Sequence, residues 1–136
     1  ENGGLGTTYL EINITKQHLW LVKDGAVALE SDFVSGKESD PSRLTPNGTY
    51  YIYNKERNRV LRGTKQPNGK YEYESPVSYW MPFNKGIGLH DASWRSTFGG
   101  NIYINSGSHG CINLPTGFAG SLYSQIYVNL PVVVYR

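Results

Sequence analysis

The chain has 136 residues, with 13 basic and 11 acidic side chains and a formal net charge of +2 at pH 7. This length fits one ordinary domain with a sizeable buried core. The small net charge comes without a block of like charge, so neither nucleic acid nor an anionic membrane is indicated as a partner. The longest apolar runs, such as residues 132–135, fall far short of the ~20 residues that span a bilayer, so no membrane segment is expected.

Composition favours a mainly β fold. Sixteen glycines, seven prolines and eleven tyrosines are typical of short strands joined by tight turns. The glycine-rich residues 1–8 are interpreted as a linker or the end of an upstream domain. Residues 9–136 are interpreted as one domain.

The first third of the chain predicts a run of strands. Apolar residues alternate with polar ones over residues 10–14, and residues 18–22 form a second apolar run. The dipeptide Asp24-Gly25 predicts a hairpin turn, which leads into a third strand over residues 26–34.

The middle of the chain is more polar. A loop is predicted over residues 37–44, then a turn over residues 45–48 and a strand over residues 49–53. Residues 54–78 are polar and basic, with Asn68-Gly69 as a predicted hairpin tip. This stretch is therefore interpreted as an excursion outside the core and a candidate lid.

The last part of the chain alternates strands with one helix. Strands are predicted over residues 79–83 and 87–90, and a further strand over Asn101–Ile104. A single helix is predicted over Pro115–Ile126, because proline suits the first turn and the apolar residues recur on one face. Residues 132–135 are predicted to form a closing buried strand.

Cys111, the only cysteine, is a candidate nucleophile. An ordinary thiol with a pKa of ~8.5 is only a few per cent ionised at neutral pH, so a neighbouring base must accept its proton. His90 and His109 are the two candidate bases. The side chain of Asp91 is an unsuitable partner for His90, because successive side chains of a strand face opposite ways, so a backbone carbonyl is expected to orient the ring.

Other interpretations of these residues remain open. A lone cysteine is most often an inert buried residue. His90, His109 and Cys111 are also zinc-ligand types, but they lack the paired spacing of a zinc site. The basic side chains of residues 57–65 are better explained by a solvated loop face than by an anionic substrate, and the strand aromatics by sheet packing rather than sugar stacking.

Two segments carry a family resemblance. Residues 87–90, ending in a histidine, are followed about twenty residues later by Ser108-His109-Gly110-Cys111-Ile112-Asn113. This pattern resembles the signature of the L,D-transpeptidase catalytic domain, also called the YkuD domain. Residues 16–25 resemble the early hairpin of that family, and residues 45–50 resemble its Thr-Pro-x-Gly turn.

The resemblance implies a β-sandwich-like catalytic fold with one short C-terminal helix. It implies that Cys111 is the nucleophile, that His90 is the general base and that the backbone carbonyl of Ser108 orients the imidazole. It further implies a set of oxyanion-binding and substrate-binding residues: His109, Gly110, Asn113 and Trp94. The amide of Cys111 would join the oxyanion site, and residues 54–78 would lie near the substrate channel.

The reaction implied by the resemblance is acyl transfer between peptidoglycan stem peptides, outside the cytoplasmic membrane and without a metal or cofactor. A tetrapeptide stem would acylate Cys111 with release of D-alanine, and an amine of a second stem would complete a cross-link between two third-position residues. Carbapenems are expected to acylate the same thiol. Two alternatives stay open: an L,D-carboxypeptidase that uses the same site, and a non-catalytic wall-binding module. A papain-like endopeptidase is disfavoured, because its histidine follows its cysteine in sequence.

Overall fold

A computed structural model describes residues 6–136, in which the chain forms nine strands and two helices. Their bounds are β1 (Tyr9–Asn13), β2 (His18–Lys23), β3 (Ala26–Asp32), β4 (Gly48–Tyr51), β5 (Glu56–Arg62), β6 (Glu74–Asn84), β7 (Ile87–Asp91), α1 (Ile102–Ser106), β8 (Ile112–Leu114), α2 (Thr116–Gln125) and β9 (Pro131–Tyr135). Part of the predicted linker, residues 1–5, lies outside the described residues. Within residues 6–136 no helix has the length and apolar character needed to cross a membrane.

The strands form two sheets. The first has the order β3-β2-β1-β9-β4, and the second has the order β5-β6-β7-β8. Two pairings are parallel, β1 with β9 and β7 with β8, whereas the other neighbours are antiparallel. The predicted mainly β fold class is therefore confirmed.

One hydrophobic core joins the two sheets and α2. The alternation predicted for β1 is confirmed, because Leu10 and Ile12 are fully buried while the intervening Glu11 keeps partial exposure. The same core takes side chains from both sheets and from the second helix: Leu19, Leu21, Met81, Leu89, Ile112, Leu114, Ala119, Leu122, Val132 and Val134. Burial of these side chains is the main term that holds the sheets together.

The predicted first hairpin is confirmed. Asp24 and Gly25 turn the chain with φ of 51° and 83°, and β2 pairs with β3 on either side of them. Strand β3 ends at Asp32, two residues earlier than predicted. Val34 instead exchanges backbone hydrogen bonds of 2.8 and 3.0 Å with Asn113, which ties this segment to the second sheet.

The polar stretch over residues 54–78 forms most of a long hairpin. Strand β5 pairs with the first half of β6, and the predicted tip at Asn68-Gly69 is confirmed by a hydrogen bond between Gln66 and Lys70 across it. The second half of β6 then enters the core, where Trp80 and Met81 are buried. The hairpin is thus an arm continuous with the second sheet.

The strand predicted over Asn101–Ile104 was wrong, since Ile102–Ser106 forms the helix α1. Residues 6–136 therefore contain two helices rather than the single one predicted. A run of three apolar residues fits either a strand or a helix, and the burial of its side chains in the fold decides between them. Only Tyr103 of the run is buried, and Ile104 is 37% exposed. The carbonyls of Tyr103 and Ile104 at the helix end accept the amides of Glu38 and Ser39.

The helix predicted over Pro115–Ile126 is confirmed within one residue at each end. Pro115 occupies the N-cap position of α2 without a side-chain capping bond, and the amide of Ile126 donates to the carbonyl of Leu122 at the other end. Ala119 and Leu122 face the core between α2 and strands β6 and β7.

A histidine clamp lies on the outer part of the first sheet. His18 on β2 contacts two carboxylates of β3, with Nδ1 2.7 Å from Asp32 Oδ1 and Nε2 2.9 Å from Glu30 Oε1. Burial alone would lower the pKa of His18, but hydrogen bonds and charge from Asp32 and Glu30 raise it above 6.5. The protonated ring therefore stabilises the pairing of β2 with β3.

This clamp predicts a pH dependence of stability. Because the folded pKa is raised, the contribution of His18 is complete below its ordinary pKa and is lost as the pH rises through the folded value. We expect it to add about 0.5 kcal/mol to the free energy of unfolding near pH 5.5 and to vanish near pH 8.5, given the solvent exposure of the group. Urea denaturation of the parent and of His18→Gln at both pH values measures it. Equal pH dependence in the two proteins would contradict the clamp.

Candidate active site

The parallel pairing of β7 with β8 brings Cys111 and His90 to one site. His90 lies on β7, and Cys111 directly precedes β8, in a register that pairs Leu89 with Ile112 and His90 with Asn113. Both residues line the same cleft, which has a volume of about 370 Å³. Two positions that are far apart in the sequence therefore meet because their strands are neighbours.

The Cys111 thiol rests against the start of β7. It donates a hydrogen bond of 3.5 Å to the carbonyl of Gly86, and the amide of Gly88 donates to the sulfur. Burial raises the pKa of the thiol to about 11, and the Gly88 amide opposes that rise. The residue as a whole is only half-buried, so the burial concerns the protein groups that crowd the sulfur. The free protein therefore holds a neutral thiol at neutral pH.

His90, a candidate base, is buried and oriented by its surroundings. Its ring, 4% exposed as a residue, lies between Trp80 and Trp94 with centroid distances of 6.1 and 5.9 Å. Nδ1 lies 2.8 Å from the backbone carbonyl of Asp91, so Nδ1 carries the proton and Nε2 keeps its lone pair. Burial lowers the pKa of His90, and the nearby Arg95 lowers it further, against the raising effect of Asp91. The ring is thus neutral and able to accept a proton at pH 7.

The group that orients His90 differs from the one implied by the family resemblance. The carbonyl of Ser108 accepts the amide of Lys37 at 3.0 Å, while the Asp91 carbonyl bonds the imidazole. The Asp91 carboxylate points away and accepts the amides of Ser78 and Tyr79. A backbone carbonyl next to the histidine meets this need because a ring can fold back onto its own strand, whereas the adjacent side chain lies on the opposite face.

The Ser108 side chain shapes the segment that carries Cys111, the candidate nucleophile. Its Oγ accepts the amide of Gly110 at 3.1 Å and donates to the carbonyl of Cys111 at 2.6 Å. Gly110 has a φ of 130°, in the region that favours glycine. In this conformation the Gly110 amide is committed to Ser108, although the resemblance implied that it binds an oxyanion.

His109 faces the hairpin arm. Its ring lies 4.6 Å from that of Tyr73, and its Nε2 is 3.8 Å from Glu72 Oε1. Burial and the charge of Arg43 lower the pKa of His109, opposed by Glu72 and Asp40. Of the two candidate bases, His90 has the fixed tautomer, while His109 lines the cleft beside Tyr73 of the arm.

Two other predicted residues also line the cleft. Asn113 is 2% exposed, and its Oδ1 is buried without a hydrogen-bond partner among residues 6–136. Trp94 is 51% exposed at the cleft, and its ring is tilted by 37° against that of His90.

Sequence reasoning missed several cleft residues: Arg59, Leu61, Arg62, Tyr73, Ser75, Trp80 and Arg95. The arm supplies five of them, and alternation along its strands was the available signal. Arg59 and Leu61 share one face, and Tyr73 and Ser75 lie on that same face because Ser75 pairs with Leu61. The basic side chains of the arm were assigned to a solvated face, whereas Arg59 and Arg62 border the cleft. Residues 6–136 contain no group of three His, Cys, Asp or Glu side chains arranged to hold a metal ion.

The chain is similar to known proteins of one family. The family model of the YkuD L,D-transpeptidase catalytic domain matches residues 7–134. No curated protein matches the chain.

Several solved structures are similar to the chain. A cysteine-to-serine mutant of Enterococcus faecium L,D-transpeptidase is 45% identical with a TM-score of 0.85, over 95% of this chain and 50% of that one. The catalytic domain of E. faecium L,D-transpeptidase acylated by ertapenem is 44% identical with a TM-score of 0.81, over 98% of this chain and 100% of that one. An L,D-transpeptidase from Mycobacterium smegmatis is 25% identical with a TM-score of 0.74, over 96% of this chain and 59% of that one. The chain spans about half the length of the first of these.

The raised pKa of Cys111 predicts slow alkylation at neutral pH. Because only the thiolate reacts, the rate constant with iodoacetamide should rise about tenfold per pH unit and continue to rise above pH 9. The single cysteine makes the measurement by intact mass unambiguous. Urea-unfolded protein is the control, in which the rate should level off near the ordinary thiol pKa of ~8.5. A plateau below pH 8 in the folded protein would show that the thiol is not protected.

Proposed function

Because the chain belongs to the YkuD family of L,D-transpeptidase catalytic domains, we propose that it cross-links peptidoglycan through a thioester on Cys111. The donor is a tetrapeptide stem, and the product joins the third residues of two stems. The observation that carries this proposal is the shared cleft of Cys111 and His90, with the Nδ1 proton of His90 held by the Asp91 carbonyl.

The first step acylates the enzyme. Sγ of Cys111 attacks the carbonyl of the third stem residue, and the thiol proton passes to Nε2 of His90. As the tetrahedral intermediate collapses, the C–S bond remains, the C–N bond breaks, and His90 gives the proton to the departing D-alanine amine. Because the Cys111 thiol and the His90 imidazole are both neutral, the thiol proton can pass to the imidazole while the sulfur attacks the carbonyl carbon.

The second step releases the product. An amine of a neighbouring stem attacks the thioester, the C–N bond forms and the C–S bond breaks. The amine proton returns through His90 to the sulfur. Water in place of the amine would give the L,D-carboxypeptidase reaction at the same residues.

Carbapenems are proposed to acylate the same sulfur. Their β-lactam carbonyl is a strained electrophile, and ring opening replaces the departure of D-alanine. The E. faecium catalytic domain, 44% identical to this chain, has a structure acylated by ertapenem. That likeness supports the same reaction at Cys111.

The setting follows from the substrate. Since peptidoglycan lies outside the cytoplasmic membrane, we propose that the chain acts there. Residues 9–136 are the proposed catalytic domain, with residues 1–8 as its linker or the end of an upstream domain. Thr7 and Thr8 already accept hydrogen bonds from the turn at Asp24 and Gly25.

The charge of the cleft suits a donor with a free carboxylate. Three guanidinium groups and no carboxylate line it. Arg59 pairs with Glu56 at 2.7 Å and Arg62 pairs with Glu74 at 3.4 Å, whereas Arg95 has no ion pair among the described residues. An unpaired cation next to His90 is available to an anionic ligand.

Arg95 is well placed to meet the terminal carboxylate of the donor. Its charge reaches His90, whose pKa it lowers, and its Nε is buried without a hydrogen-bond partner within residues 6–136. Burial also lowers the pKa of Arg95, which reflects a cation poorly compensated by its surroundings. In a tetrapeptide, the D-alanine carboxylate is one carbon away from the scissile nitrogen. A donor placed for reaction at Cys111 would therefore bring that carboxylate close to Arg95.

The proposed reaction predicts defined products from a purified disaccharide-tetrapeptide. Mass spectrometry should detect cross-linked dimer and free D-alanine with the parent protein, and neither with Cys111→Ala. Thermal melting of both proteins checks that the variant is folded. Formation of tripeptide without dimer would contradict transfer and indicate the L,D-carboxypeptidase reaction. Binding of the substrate without any product would indicate a non-catalytic wall-binding module.

Arg95→Gln is expected to raise KM for the tetrapeptide by about tenfold with a smaller change in kcat, because a charge-assisted hydrogen bond to the donor is lost. Steady-state release of D-alanine measures both constants. Arg57→Gln is the matched control, since Arg57 is exposed and lies outside the cleft. An unchanged KM in Arg95→Gln would remove this residue from donor binding.

A further inference from the structure

Thr45 is a fully buried residue that contacts the nucleophile segment from outside the cleft. Its exposure is 0%, and its hydroxyl donates to the carbonyl of Gly110 at 2.7 Å. The same oxygen accepts the amide of Gly36 at 2.9 Å. Both hydrogen-bonding roles of this hydroxyl are therefore used, and one of them acts on the residue before the nucleophile.

The backbone around Thr45 is packed too closely for this contact to be incidental. A Cβ at Gly36 would lie 1.9 Å from the Arg43 carbonyl oxygen and 2.9 Å from Cα of Gly110, so only glycine fits there. The Thr45 carbonyl in turn accepts a hydrogen bond of 2.7 Å from Arg136. The hydroxyl is thus held in place from several sides.

Two hydroxyls together fix three consecutive peptide groups. These are the peptide groups His109–Gly110, Gly110–Cys111 and Cys111–Ile112. Ser108 Oγ accepts the amide of Gly110, in the first group, and donates to the carbonyl of Cys111, in the third. Thr45 binds the carbonyl of Gly110, which belongs to the middle group. The middle group also contains the amide of Cys111.

Fixing the Gly110 carbonyl fixes the direction of the Cys111 amide. In a trans peptide the C=O and N–H bonds point in opposite directions, and no cis peptide occurs in residues 6–136. A carbonyl turned towards buried Thr45 therefore turns the Cys111 N–H away from it. Since the Gly110 amide is already committed to Ser108, the Cys111 amide is the donor of this segment whose direction matters for a developing oxyanion.

We propose that Thr45 is a positioning residue for acyl transfer, which holds the Gly110–Cys111 peptide so that the Cys111 amide stabilises the oxyanion of the tetrahedral intermediate. The proposal rests on the proposed function, because it requires attack of the thiol on a carbonyl. Thr45 itself does not touch the substrate.

The test compares two reactions of one sulfur. Acylation by ertapenem passes through a carbonyl oxyanion, whereas alkylation by iodoacetamide displaces iodide at a saturated carbon and needs no oxyanion donor. Thr45→Val keeps the shape of the side chain and removes the hydroxyl, and Thr45→Ser keeps the hydroxyl. Thr49→Val, at an exposed position on β4, is the matched control. Both rate constants are obtained by following adduct formation over time with intact-mass spectrometry. The reactions are run below the melting temperature of each protein.

Thr45→Val is expected to lower the acylation rate constant by about tenfold to a hundredfold, short of the full loss of an oxyanion donor. Its alkylation rate constant should stay within about twofold of the parent value, because the hydroxyl does not contact the sulfur. Thr45→Ser and Thr49→Val should match the parent in both reactions. If Thr45→Val does not fold, Thr45→Ala removes the same hydroxyl and should give the same selective loss.

Three results would separate the possibilities. Parent-like acylation in folded Thr45→Val or Thr45→Ala overturns the positioning role. An equal fall in acylation and alkylation also overturns it, since that pattern indicates general loosening of the segment. A parent protein that alkylates but never acylates contradicts the proposed function itself, whatever the Thr45 variants do.

Discussion

The parallel pairing of β7 with β8 is the constraint on which the site depends. A parallel pair needs a long crossover, and here the crossover contains α1 and returns the chain beside the strand it left. The register then places Cys111 opposite Gly88, near the start of β7. His90 follows Gly88 by two residues and therefore lies on the same face of the strand. Because β7 and the short β8 are almost completely buried, the register cannot slip without exposing apolar side chains.

Hydrogen bonds to backbone groups define the chemistry of the site more than pairs of charges do. The Asp91 carbonyl selects the tautomer of His90, and the Gly86 carbonyl and Gly88 amide hold the sulfur. The candidate nucleophile Cys111 and the candidate base His90 are both neutral at pH 7. Charge is concentrated on the guanidinium groups along the cleft, where an anionic ligand would meet it.

The sequence predicted the fold best where a pattern was long or specific. The periodicity of residues 115–126 located α2 almost to the residue, and the alternation over residues 10–14 located a core strand. The three apolar residues at 102–104 were too few to distinguish a strand from a helix, and tertiary burial of Tyr103 decided the outcome.

The candidate site was predictable only in part. Residue types and order singled out Cys111 and His90, but the carbonyl that orients the ring depends on a local backbone geometry that the sequence does not display. Arg95 reaches the cleft through the path of its whole segment, so no local pattern predicts its position there. Thr45 was predicted as part of a turn, and its contact with Gly110 exists only because distant segments pack together.

The central strand of the first sheet has consequences for the order of folding. Strand β1 lies between β2, which follows it immediately, and β9, which comes about 120 residues later. Until β9 has been synthesised, one edge of β1 exposes unpaired amides and carbonyls beside buried apolar side chains. Such long-range closure makes folding slow and leaves nascent or truncated chains prone to misassociation.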